Sequence, residues 1–150
     1  MINSIDLLAE KDTIVEVINN LFIGTDNRDW FHVRGCFAKS VEFDMTSMTG
    51  GQPSQLTPDQ ITEAWDKALK PIEQLHHQAG NYQVTITGSS AEAFCYGTAF
   101  HYRKTTSGKN LRTFVGSYEF RLKKDDFRWL INRFKFNLKF VEGNPDLEKS

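Results

Sequence analysis

From Gln74 to about Phe140 apolar and polar residues alternate with period two, broken at Gly88-Ser89-Ser90, Thr106-Ser107-Gly108-Lys109 and Lys124-Asp125-Asp126. Successive side chains of an extended strand point to opposite faces, so this pattern demands a sheet. It predicts strands at Tyr82–Thr87, Glu92–Lys104, Leu111–Lys123 and Phe127 to about Phe140, joined as an antiparallel meander. The first half reads as helical. Apolar residues from Leu7 to Leu21 recur at three-to-four spacing, with Ser4 or Asp6 as cap and Gly24 as terminator of a helix reaching about Asn20. Asp26 or Asn27 then caps a second helix, Arg28 to about Lys39. Val41–Met45 alternates like a short strand, and 46–56 is a turn-rich loop. Thr57 caps a third helix, with Pro58 at its first position, ending near Leu69 and Pro71. Helices followed by consecutive strands imply an α+β chain, helices covering one face of a curved, mostly antiparallel sheet. With 150 residues and no internal repeat, the chain reads as one domain, 1–150.

The strand Glu92–Lys104 carries the most information. One face holds Phe94, Tyr96, Thr98, Phe100 and Tyr102; the other holds Ala91, Ala93, Cys95, Gly97, Ala99, His101 and Arg103. A run of small residues either packs closely against a bulky helix or lines a cavity with His101 inside it, because unfilled voids are costly. The aromatic face reads as a self-association surface, predicting a homodimer through the outer sheet.

Charge limits the partners. Eighteen basic and nineteen acidic residues leave a net charge of -1, with no electrostatic footprint for nucleic acid. No apolar run reaches the roughly 18 residues of a membrane span. The N-terminal segment is acidic where a signal peptide is basic, so a cytoplasmic location is expected. Cys36 and Cys95 lie far apart without zinc-site spacing and read as buried free thiols. No metal and no cofactor is expected.

Several short motifs then fall in a familiar order: Asp26-Asn27-Arg28-Asp29-Trp30, His76-His77-Gln78, His101, Gly116-Ser117-Tyr118-Glu119-Phe120, and Phe127 to Arg133. Over about residues 5–142 the chain resembles the SnoaL-like branch of the nuclear transport factor 2-like superfamily. Scytalone dehydratases, ketosteroid isomerases and polyketide cyclases belong there. The resemblance implies a cone-shaped α+β roll, a deep pocket between sheet and helices, and commonly a dimer. Laid beside the scytalone dehydratases, Asp26 falls at an acidic pocket position, and His77 and His101 near two pocket histidines.

Asp26, His77 and His101 are therefore the candidate catalytic residues, and Tyr118, Trp30, Phe43, Ala99 and Phe114 the candidate ligand contacts. Asp26 has two readings, a helix cap or a carboxylate coupled to a histidine. In an extended segment His76 and His77 face opposite ways, so at most one enters the pocket. Arg112 and Arg133 read as ion-pair or rim residues. The expected activity is a cofactor-independent lyase or isomerase. A pair of His101 with Asp26 would move a proton on a small hydrophobic oxygenated ring compound, and His77 or Tyr118 would steady the oxyanion. The chain has no tyrosine at 23–25 or 41–45, where the dehydratases carry a pair. That departure favours an alternative, a non-catalytic ligand-binding or scaffold protein; the resemblance also implies a third reading, an accessory subunit of an oxygenase.

Overall fold

The computed structural model describes residues 3–150. Its first helix, α1 (Ser4–Asp26), is capped by the Asn3 side chain, which accepts the Asp6 N–H at 2.8 Å. The helix does not stop at Gly24. That glycine is buried inside it, and a Cβ there would press on Val33 at 2.9 Å. The glycine serves close approach of the next helix rather than termination. As a result α1 carries Asp26 on its last helical residue. Asp29, not Asp26 or Asn27, caps α2 (Trp30–Arg34), by accepting the His32 N–H at 3.2 Å. α2 is one turn long, and Phe37 already opens β1 (Phe37–Asp44).

The 46–56 segment has more structure than a loop. Asp44 accepts both the N–H and the hydroxyl of Thr46, starting the short α3 (Thr46–Thr49). β2 (Ser54–Leu56) then pairs antiparallel with β1. α4 (Pro58–Leu69) begins with a reciprocal cap between Thr57 and Gln60, as the Thr-Pro start predicts. The meander follows as β3 (Gln74–Thr87), β4 (Ser90–Tyr102), β5 (Leu111–Asp125) and β6 (Arg128–Gly143). β3 starts eight residues before Tyr82, with a bulge between Gly80 and Gln83. The six strands run in the order β2-β1-β6-β5-β4-β3, with β1 and β6 parallel and the other neighbours antiparallel. A 3-10 turn (Leu147–Lys149) folds back with Leu147 fully buried. The fold is the helix-covered, curved α+β roll.

The inner sheet face makes the core. Ile14, Ile18, Leu21 and Phe22 of α1 are buried against a cluster that includes Phe120, Leu122, Ile131 and Phe134. Each such side chain contributes about 1.5–3 kcal/mol by leaving water. The small residues of β4 do two things. Ala91, Ala93 and Cys95 stand opposite Leu122, Phe120 and Tyr118 of β5. The Tyr118 ring leans over Gly97, where a Cβ would overlap it. Beyond Gly97, at Ala99 and His101, the same face opens into a cavity.

Candidate active site

The cavity holds about 290 Å³. Leu21, Phe22 and Thr25 of α1 form one wall. Met45 before α3, Met48 within it, and Trp65, Ala68 and Leu69 of α4 form another. The sheet supplies His77, Ala99, His101, Arg112, Phe114, Tyr118, Phe134 and Phe136, and Glu148 comes from the C-terminal turn. Most of these groups are apolar, so the few polar ones act in a low-dielectric surrounding where charge interactions are strong.

Asp26 and His77 are joined twice. The Asp26 Oδ2 accepts the His77 backbone N–H at 2.9 Å, and Oδ1 lies 2.6 Å from Nδ1 of the same residue. Both side chains are largely buried, 17% and 14% exposed. Two neighbouring contacts hold this geometry. Arg28, at φ 53 in the turn after α1, donates to the carbonyls of Leu69 (3.1 Å) and Ile72, tying the turn to the α4–β3 connection. Phe22 stacks on the His77 ring at 5.5 Å, 18° from parallel. A carboxylate only accepts, so Nδ1 carries the proton. In the neutral imidazole that leaves the opposite ring nitrogen, Nε2, with its lone pair.

The alternation in β3 leaves His76 exposed and turns His77 inward. His101 lines the same cavity from β4. It makes no hydrogen bond to Asp26, because register places His101 opposite Leu75 and His77 opposite Ala99. The carboxylate at the end of α1 meets the nearer imidazole. The expected Asp26–His101 pair is thus corrected to Asp26–His77. Burial, then the positive Arg112, lowers His101 to about pKa 4, so it is neutral. Its ring lies 5.1 Å from Phe114.

Tyr118 is 6% exposed, and burial raises its phenol well above the ordinary value, keeping it protonated. Its ring packs on Phe22 at 4.9 Å and on Phe136 at 4.8 Å. Ala99 and Phe114 line the cavity; Trp30 and Phe43 do not. The indole N–H of Trp30 donates to Asp66 at 2.8 Å, because the short α2 directs that ring to α4. Phe43 stacks on Phe134 at 5.3 Å and leans on Trp65, one layer behind the wall.

Arg112 forms an ion pair, as read, but inside the cavity wall rather than at a rim: Nη1 donates to Glu148 at 3.0 Å and Nη2 to its other oxygen. The hydrogen bonds from Arg112 lower the Glu148 carboxyl below its usual range. Arg133 pairs with Glu42 at 2.7 Å, away from the cavity. Sequence reasoning missed Trp65, Met45, Met48 and Glu148. Trp65 was readable, since Ile61, Trp65, Ala68 and Leu69 share the inner stripe of α4. Glu148 carries no local signal. Among the described residues, no group of three His, Cys, Asp or Glu side chains is arranged to hold a metal ion.

Solved structures with this fold are numerous. The Kfla4162 protein from Kribbella flavida superposes with a TM-score of 0.90 at 19% identity, over 97% of this chain and all of that one. The hexachlorocyclohexane dehydrochlorinase LinA-type3 from Novosphingobium barchaimii LL02 gives 0.79 at 12% identity, over 95% of both chains. Rv3472(D26N) from Mycobacterium tuberculosis, a protein of unknown function, gives 0.74 at 17% identity, over 88% of this chain and 77% of that one. No curated protein matches the sequence. The model of the SnoaL-like domain matches residues 6–135, so the chain belongs to the SnoaL-like domain family.

Proposed function

We propose that the protein is a cofactor-independent lyase or isomerase acting on a small hydrophobic oxygenated ring compound, with His77 as its base. One observation carries this reading: an imidazole held at 2.6 Å by a buried carboxylate on the wall of an apolar cavity of about 290 Å³. Asp26 fixes the His77 tautomer and stabilises the imidazolium that forms. His77 Nε2 takes a proton from carbon, and the C–H electron pair becomes a double bond. In an elimination the group on the neighbouring carbon leaves, and a departing hydroxyl takes the proton from His77 and leaves as water. In an isomerisation the proton returns to a different carbon. A dehydrochlorinase of the same fold is an eliminating enzyme by name, which agrees with this reading.

The test is proton exchange. Cyclic β-hydroxy ketones are incubated in D₂O and followed by mass spectrometry. Deuterium uptake or loss of water is expected, slowed about 10²–10⁴-fold in His77→Gln. Unchanged ligand in the wild type at saturating binding would reject catalysis and leave a ligand-binding protein.

The same proposal has the molecule work as a homodimer in a reducing cytoplasm. Tyr96, Tyr102, Leu111 and Phe140 are exposed on the outer sheet face, which favours self-association. Cys36 and Cys95 are buried and unpaired, which favours a reducing compartment.

A further inference from the structure

His101 and Arg112 are directly paired residues on β4 and β5. Both lie against one ring, His101 at 5.1 Å from the Phe114 centroid and the Arg112 guanidinium carbon at 5.2 Å. Each has one buried nitrogen without a hydrogen-bond partner, Nδ1 of His101 and Nε of Arg112. The rest of the arginine is occupied. Its two terminal nitrogens are spent on the Glu148 carboxylate, and Nη1 also reaches the Pro145 carbonyl at 3.3 Å. The fork is therefore fixed, and its charge stays beside the cross-strand histidine. Arginine never loses its proton, so Nε–H is always a donor. A neutral imidazole has one donor and one acceptor nitrogen. The two buried nitrogens are not hydrogen-bonded to each other, but a bare Nδ1 puts a lone pair near the guanidinium charge, whereas Nδ1–H would bury a second unpaired donor beside it.

We propose that Arg112, clamped by Glu148, holds His101 as a neutral Nε2–H donor, so that the cavity takes ligands with a carbonyl-type acceptor oxygen there. This rests on the proposed chemistry of His77 and adds the substrate class. His77 and His101 share one face on diagonal positions of β3 and β4, about 7 Å apart at their Cβ atoms. The two rings hold opposite tautomers. One presents a bare Nε2 to an acidic C–H, the other an Nε2–H to the oxygen where negative charge develops. Arg112 acts through His101 and is a positioning residue. The charged and titratable groups facing His101 are Arg112 on β5, His77 on β3, Glu148 on the C-terminal turn and Asp26 on α1. Burial and then Arg112 keep the ring neutral, and the two carboxylates oppose them.

The experiment is ¹⁵N–¹H spectroscopy of ring-labelled histidines in the full chain. In the wild type at pH 7, His101 is expected as a single Nε2–H tautomer, still neutral at pH 5.5. In Arg112→Met the tautomers are expected to mix and the ring to titrate at higher pH, since a positive neighbour is gone. A wild-type Nδ1–H tautomer, or an Arg112→Met spectrum identical to wild type, overturns the proposal. The ligand class is probed with 2-tetralone against tetralin, which lacks only the oxygen. At least fivefold tighter binding of the ketone, with a shift at His101 Nε2, is expected; equal or absent perturbation overturns it. The same spectrum separates this from the His77 reading. A His77 without Nδ1–H beside an intact His101 donor overturns the base alone.

Discussion

At the scale of the residue, environment separates two histidines of one cavity. His77 has a carboxylate partner and a free Nε2, whereas His101 has burial and a neighbouring cation. His101 is held at about 4, below its ordinary 6.5. Its neutral form therefore stabilises the fold fully above pH 6.5, and that contribution is lost as pH falls from 6.5 through 4, on the order of 3 kcal/mol in all. Glu10, Glu119 and Glu148 sit below the usual 4.5 and Asp44 below the usual 3.8, so their contributions are present above those values and fade only below them. Between pH 6.5 and 5 the urea midpoint of the wild type should fall more steeply than that of His101→Gln; parallel slopes would contradict the buried neutral ring. Asp26→Asn should lower any turnover about as far as His77→Gln. An asparagine can donate to Nδ1 and select the other tautomer, so kcat should fall more than KM changes.

At the scale of the element, β4 was legible as a strand with one small face, but the use of that face was not. At Gly97 the bulk that face meets is a ring of the neighbouring strand rather than a helix, and its other end lines the cavity. Gly97 receives the Tyr118 ring, while Ala99 and His101 face open space. Gly97→Ala should cost about 1–3 kcal/mol, because the ring must move. It should also shrink the cavity, read as weaker 2-tetralone binding alongside a lower denaturation midpoint. α4 offers a contrast. Its Thr57–Gln60 cap is local and was readable, and Thr57→Ala should cost about 1 kcal/mol without changing ligand binding.

At the scale of the whole molecule, the C-terminal turn closes the site from outside the sheet. Leu147 is fully buried beside Ile72 and Leu75, and Arg103 donates to the carbonyls of Leu147 (3.2 Å) and Glu148. Deleting residues after Gly143 should therefore lower Tm and unpin Arg112. An enhanced fluorescence of a hydrophobic dye at 25 °C would show the opened cavity. A deletion mutant with wild-type Tm and ligand affinity would refute the closure. The outer face makes a separate prediction. Sedimentation should give a dimer mass, and Tyr96→Glu with Phe140→Glu should give a monomer that retains ligand binding.

The local signals of the chain determined the elements: period-two alternation set β3 to β6, and Thr-Pro started α4. They also put Asp26, His77 and His101 forward as a group, through motif order and family resemblance. Caps and bounds failed where a tertiary contact won. α1 runs past Gly24 because α2 packs on that glycine, and Asp26 meets His77 instead of capping a helix. Which imidazole receives the carboxylate depends on β3–β4 register and the length of α1. Whether a guanidinium near the other imidazole is free or clamped depends on a glutamate 36 residues further along the chain. Patterns of neighbouring residues encode strands and caps, because those interactions span a few positions. Pairings across the fold are decided only once packing brings distant side chains within hydrogen-bond reach.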